Sequence, residues 1–274
     1  MRRIAHISDL HFGRHSDAVA EALLRSISDI KPDIIAVSGD FTQRAKTAEF
    51  IAARDFLNRI PQPKILVPGN HDIPLYNIFN RFLRPFTKYD RHFAKLGQSA
   101  DFYSDEEIAI LGMNTARSFT RKNGRVSPEQ MTKIADVLGT LPPGIFKILV
   151  THHPLANPEA QSRLELAGRS VRAMTFVRDA GVHLLMSGHH HRALSGNNVE
   201  LEGSGSVLVL HAGTAISTRR RGGAANSYNL VEVAGRIVSV RLMEHLDNEF
   251  REMTVTCFSF NDNRWSVAAS KAPT

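Results

Sequence analysis

Short apolar runs alternate with segments whose apolar residues repeat at helical spacing. "RIAHIS" precedes a segment at about 18–30 in which Val19, Ala22, Leu23, Ile27 and Ile30 share one face. "DIIAVS" precedes a second, at about 46–60, with Phe50, Ala53, Leu57 and Ile60 on one side. "KILVP" follows, then an irregular stretch, then "IAILGMN". A third helix is announced by "SPEQ", with Ser127 as N-cap, Pro128 at the first helical position and Gln130 at the third. "FKILVT" leads to a helix at about 170–180 closed by Gly181, and "VHLLMS" comes next. From Val207 the texture changes to "VLVLHAG", "SYNLVEV" and "RIVSVRLME", with "AG" as a hairpin turn. Continuously apolar strands want cover on both faces, so the order fits two sheets sandwiched between helices. Beyond Phe250 the pattern is weak. The expected division is a catalytic unit over 1–245 and an extension over 246–274 packed on it.

Five of the apolar runs end in residues able to ligate metal. Asp9 and His11 follow the first, Asp40 the second, and Asn70, His71 and Asp72 the third. His152 and His153 follow "FKILVT", and His189, His190 and His191 follow "VHLLMS". In open α/β sheets ligands gather beyond the carboxyl ends of strands, so five such ends predict one site. Imidazole, carboxylate and amide without thiolate suit Fe or Mn, and also Zn, Co or Ni. The donors exceed a tetrahedral set, which predicts two ions bridged by Asp40. In extended chain, residues i and i+2 face one way. Asp9 pairs with His11, and His189 with His191, while His190 points elsewhere. Alternation admits only one of His152 and His153 and does not choose between them.

Ordered along the chain, "DLH", "GD", "GNHD", "HHP" and "GHHH" resemble the five motifs of calcineurin-like metallophosphoesterases, over roughly Ile4 to Gly213. The resemblance implies a four-layer αββα sandwich of two mixed sheets and a dinuclear phosphohydrolase. It implies one metal on Asp9, His11, Asp40 and His191, and the other on Asp40, Asn70, His152 and His189. His71 is then catalytic, touching the phosphoryl group, and the nucleophile is a water shared by the metals. "GDFTQRA" and "HAGTAISTRRRGGAANSYN" are similar to bacterial phosphodiesterases of the cyclic-nucleotide and glycerophosphodiester branch. The expected substrate is a phosphodiester or nucleotide-type small molecule. Other readings are a pyrophosphohydrolase of UDP-diacylglucosamine type, a nuclease and a protein-binding scaffold. The nuclease lacks room for its capping domain, so no stable nucleic-acid partner is expected. The scaffold would have lost ligands that are all present here.

Charge and composition adjust this picture little. There are 34 Lys+Arg against 27 Asp+Glu, a formal +7 in 274 residues, which favours anions generally. Arg44, Asn114, Arg117 and Arg219 are the candidates to bind substrate, with Arg121, Arg125, Arg220 and Arg221 in the same basic stretches. The single cysteine, Cys257, and a first apolar run too short for a secretion signal point to the cytoplasm. His6, His15, His92, His183 and His245 read as ordinary surface or core histidines, Asp33 as a turn residue and Asp72 as an orienter of its neighbours. "YNIFNRFLRPFTKYDRHFAK" spaces Phe79, Phe82, Phe86 and Phe93 near helical period between basic residues, with a kink at Pro85. Core packing is the plainer reading. The sharper one is a lid or membrane-surface helix serving a lipid-linked substrate.

Overall fold

The computed structural model describes residues 1–75, 78–94, 96, 99–120, 122–157, 165–200 and 205–271. Tyr76, Lys95 and Arg121 lie outside the described residues.

Strands β1 (Arg2–Ile7), β2 (Ile34–Val37), β3 (Lys64–Leu66) and β4 (Ser99–Ala100) run parallel. Beside β1, an antiparallel meander of β11 (Ser227–Ala234), β12 (Ile237–Leu246), β13 (Glu249–Asn261) and β14 (Arg264–Lys271) completes an eight-stranded sheet. The second sheet has six strands, ordered β5 (Phe102–Ser104), β6 (Ile108–Met113), β7 (Phe146–Thr151), β8 (Leu184–Ser187), β10 (Ser206–His211) and β9 (Leu194–Glu200). In it β6, β7, β8 and β10 are parallel and the edges antiparallel.

Period-2 alternation sorts each strand between two cores. Ile34 and Ala36 of β2 face the other sheet, with Ile148 and Val150 of β7 and Leu184 and Met186 of β8. Ile35 and Val37 face outward onto α1 (Asp17–Ile30) and α2 (Thr47–Asn58), through Leu23, Ile27, Phe50 and Leu57. On the far side Leu149 and Leu185 pack on Ile134 of α5 (Pro128–Ile134) and on Ala173 and Val177 of α6 (Ser170–Asp179). Two mixed sheets covered by helices on both outer faces are therefore present. The Ser127 hydroxyl accepts from the backbone of Gln130, while the Gln130 side chain accepts from the backbone of Ser127, as "SPEQ" predicts.

The tail is more regular than its pattern suggests. β12 runs through the expected boundary at residue 245, and β13 pairs with it from Glu249 to Ser259 across one bulge. Phe258 and Trp265 enter the core between the sheets. The aromatic stretch after β3 divides at Pro85 into α3 (Ile78–Leu83) and α4 (Thr87–Phe93). Phe93 is buried against Phe41 and Phe50, whereas Phe79 and Phe82 face solvent.

Candidate metal centre

The site sits where the carboxyl ends of β1, β2 and β3 meet those of β7 and β8. Asp9, His11, Asp40 and His191 bring one donor atom each within 4.8 Å of one another, as do His152, His153 and His189. Asp9 Oδ1 lies 3.3 Å from His191 Nε2 and 3.7 Å from His11 Nε2. Asn70 Oδ1 and His189 Nδ1 lie 3.2 and 3.3 Å from His152 Nε2. Asp40 Oδ2 joins the groups, at 3.8 Å from His11 Nε2 and 3.4 Å from His152 Nε2. The other oxygen, Oδ1, accepts the His71 backbone N–H at 2.8 Å. Oδ2 is thus the Asp40 oxygen left facing both groups.

Ring-nitrogen accounting shows which lone pairs are free. His152 Nδ1–H donates to the Ser38 carbonyl at 2.7 Å and His191 Nδ1–H to the Arg219 carbonyl at 3.0 Å. Each Nε2 is left aimed inward, toward other polar atoms of the cluster. His153 is different. Its Nε2–H donates to the Lys122 carbonyl at 2.7 Å, and its Nδ1 accepts from the Thr115 hydroxyl at 2.9 Å. Both nitrogens are occupied, although the ring is 4.6 Å from that of His189. A backbone carbonyl on the far nitrogen is the usual setting of a metal-binding histidine. Asp9 Oδ1 is buried and makes no hydrogen bond, and these inward-facing groups could share a cation. These residues fit transition metals.

Electrostatics agree. Burial works against charge on Asp9 and Asp40, yet His191 beside the first and His152 beside the second hold both carboxyls below the usual range. Burial likewise opposes charge on His152, but Asp40 outweighs it and raises the imidazole to about 9. His189 is pushed down to about 3, by burial and then by His152.

The local backbone explains the cluster's density. Asp9, His11, Asp40, His189 and His191 all have positive φ, between 48° and 74°. The expectation of extended chain there is wrong: these residues lie in the loops after the strands, with left-handed backbone at each of the five. A Cβ at Gly188 would overlap the Ser8 hydroxyl and the Asp9 carboxylate, and one at Gly39 would overlap the His152 ring. Hence glycine precedes the ligands in "GD" and "GHHH". Asp72 ties the loops, accepting from the backbone of Gly69 at 2.9 Å and of Thr42 at 2.9 Å.

His71 Nδ1–H donates to the Gln43 carbonyl at 2.8 Å, which turns Nε2 toward Arg219 Nη1, 3.3 Å away. Asp40, Asn70, His71 and the triplet line a cavity of about 290 Å³ with Lys122, Glu165, Arg219 and Arg221. Arg44 lines an adjoining one with His71 and Arg219. Asn114 and Arg117 do not line either. Asn114 Oδ1 accepts from the Ala116 backbone, and Arg117 donates to the Arg125 carbonyl and the Gln130 side chain. Sequence reasoning missed Glu165 and Lys122, which come from separate loops. It also missed His211, whose ring lies 5.8 Å from that of His190.

Two sheets bring this cluster together, and the family model that matches the chain makes the protein a phosphoester hydrolase. The family model of the calcineurin-like phosphoesterases matches residues 2–193, and the chain belongs to that family. A probable cyclic nucleotide phosphodiesterase of Synechococcus is 26% identical over 203 residues, 69% of this chain and 73% of the relative. The glycerophosphodiester phosphodiesterase GpdQ of Enterobacter lignolyticus is 32% identical over 96 residues, 30% of this chain and 33% of the relative. A dimetal phosphatase from Danio rerio shares the fold, with a TM-score of 0.65, 14% identity, and 92% and 98% of the two chains covered. Among the described residues no helix is long and apolar enough to cross a membrane.

Proposed function

We propose that the protein is a phosphodiesterase working with two transition-metal ions, Fe or Mn before Zn, Co or Ni. The observation that carries this is Asp40 Oδ2, placed between two sets of inward lone pairs. One ion would sit on Asp9, His11, Asp40 and His191, the other on Asp40, Asn70, His152 and His189. When bound, such a pair supplies Lewis acidity and a water of lowered pKa. The chain's own groups do the rest. His71, its ring fixed by Gln43, would in its doubly protonated form donate Nε2–H to a phosphoryl oxygen, and Arg219 beside it adds a guanidinium where charge develops. Arg44, Lys122 and Arg221 surround the substituent beyond the phosphoryl group. Glu165, the acid of that rim, disfavours the second charge of a monoester. The names of the two phosphodiesterase relatives support the same preference. The test compares kcat/KM for bis(p-nitrophenyl) phosphate and p-nitrophenyl phosphate on protein loaded with Mn or Fe. Higher values for the diester are expected; a preference for the monoester makes the protein a phosphatase.

A further inference from the structure

The chemistry above leaves His153 and His190 unused, although both are buried and each neighbours a histidine assigned to a metal. Each donates to the backbone of a charged residue on the cavity rim. His153 Nε2–H goes to the Lys122 carbonyl at 2.7 Å, and its Nδ1 is held by the Thr115 hydroxyl. His190 Nε2 is buried without a hydrogen bond, so Nδ1–H is the donor to the Glu165 carbonyl. Behind His190 stands His211, whose Nε2–H donates to the Ala156 carbonyl at 3.2 Å, on the same connection between β7 and α6.

Gln43 and Arg219 are held in the same manner, by His71 and His191. Four rim residues are thus keyed, through a backbone carbonyl, to imidazoles of the metal-bearing segments. Lys122 and Glu165 line the cavity, yet both are exposed. Packing does not fix such side chains, so the anchored carbonyl decides where each charge stands. The two charges are opposite. A phosphoryl dianion gains more than a diester monoanion from Lys122 and loses more at Glu165, because Coulomb energy scales with charge.

We propose that His153 and His190 are positioning residues, which hold Lys122 and Glu165 at the cavity and so set the phosphoryl charge it accepts. The inference rests on the phosphodiesterase reading and names the residues that tune its substrate charge. Loss of the first ring frees a cation and loss of the second frees an anion, so the two losses act in opposite directions.

Phosphate and dimethyl phosphate are titrated calorimetrically onto Mn-loaded protein at mildly alkaline pH, where phosphate is a dianion. The ratio of phosphate to dimethyl phosphate affinity should fall about three- to tenfold in His153→Leu and rise by a similar factor in His190→Leu. Lys122→Gln and Glu165→Gln should reproduce the two shifts. His153→Gln and His190→Asn, whose amides keep a donor near the lost N–H, should hold the wild-type ratio. A purely structural role would move both affinities together and leave the ratio alone. Metal content and thermal unfolding are measured for every variant. Thr115→Val and His211→Leu, which loosen the same rings from behind, replace a leucine variant that does not fold. An unchanged ratio, two shifts of the same sign, or loss of an ion from His153→Leu or His190→Leu overturns the proposal. The nitrophenyl comparison stands apart from this one. A monoester preference there, with opposite shifts here, removes the diesterase assignment and keeps the positioning. A diester preference with an unchanged ratio does the reverse.

Discussion

His152→Ala and His153→Ala should have opposite consequences, though the residues are neighbours and equally buried. His152 spends Nδ1–H on the Ser38 carbonyl and aims Nε2 at Asp40, Asn70 and His189. Its removal deletes a direct metal bond. Affinity at that site should fall by more than the 10–100-fold that loss of an outer partner brings. His153 spends both nitrogens on Lys122 and Thr115. Its removal deletes two hydrogen bonds and leaves a cavity under Gly124, which packs directly on the ring. The Lys122 carbonyl can turn to water, so the cost is about 1 kcal/mol for the Thr115 bond plus the cavity, about 2–4 kcal/mol in all. That corresponds to a fall in Tm on the order of 10 °C.

The assay is metal content after equilibration with excess free Mn, beside Tm by calorimetry. His153→Ala should keep two ions per chain and melt early. His152→Ala should keep one. If His153→Ala loses an ion while His152→Ala keeps both, the ring-nitrogen accounting is wrong and the second site must be redrawn around His153.

Two further outcomes follow from the same site. His190→Ala should retain both ions and lose less than tenfold in kcat/KM, because one ring nitrogen bonds the Glu165 backbone and the ring leans on His211; loss of an ion, by elemental analysis, counts against this. Metal binding at pH 7 should release about one proton, since His152, raised to about 9 by Asp40 against burial, must give up its Nε2 proton. Titrations in two buffers of different ionisation heat measure this, and zero protons released refutes it. By the same sign, the His152–Asp40 pair stabilises the metal-free fold fully below the ordinary histidine value of 6.5 and progressively less as pH rises through 9.

The five strand-to-ligand junctions are legible because strands buried on both faces read as unbroken apolar runs, and Asp, Asn and His at their ends stand out. The choice between His152 and His153 is not legible. It depends on the Lys122 carbonyl and the Thr115 hydroxyl, contributed by a loop more than thirty residues earlier. Asn114 and Arg117 look like rim residues by proximity in sequence, but their side chains close their own loop. The last strands escape the hydrophobic pattern because β13 is half-buried along most of its length. A turn signal was present all the same. Asp247–Asn248 and Asp262–Asn263 both have two successive positive φ values, the hairpin conformation that Asp and Asn favour.

The left-handed backbone at the ligands has a consequence for metal removal. Such conformations cost on the order of 1–3 kcal/mol each, less for Asp, so something other than the ions must hold them if the site exists before loading. Hydrogen bonds do so here. Asp9 N–H donates to the Gly39 carbonyl at 3.0 Å and His11 N–H to the Asp40 carbonyl at 2.9 Å. Asp9 Oδ2 accepts from Ser8 Oγ at 2.6 Å and from the His189 backbone at 3.1 Å. The strands beneath are buried, apart from Arg2 and Arg3 at the start of β1. The cage is therefore held by hydrogen bonds of the fold, and on the two-ion reading each ion would stabilise it by mass action, about 2.7 kcal/mol per site at a hundredfold excess over Kd. Chelated protein should keep its near-UV circular dichroism, unfold in one cooperative transition a few degrees lower, and regain both ions on titration. A chelated protein that loses tertiary signal, or melts in two separate steps, would show that the ions themselves bend these turns into place.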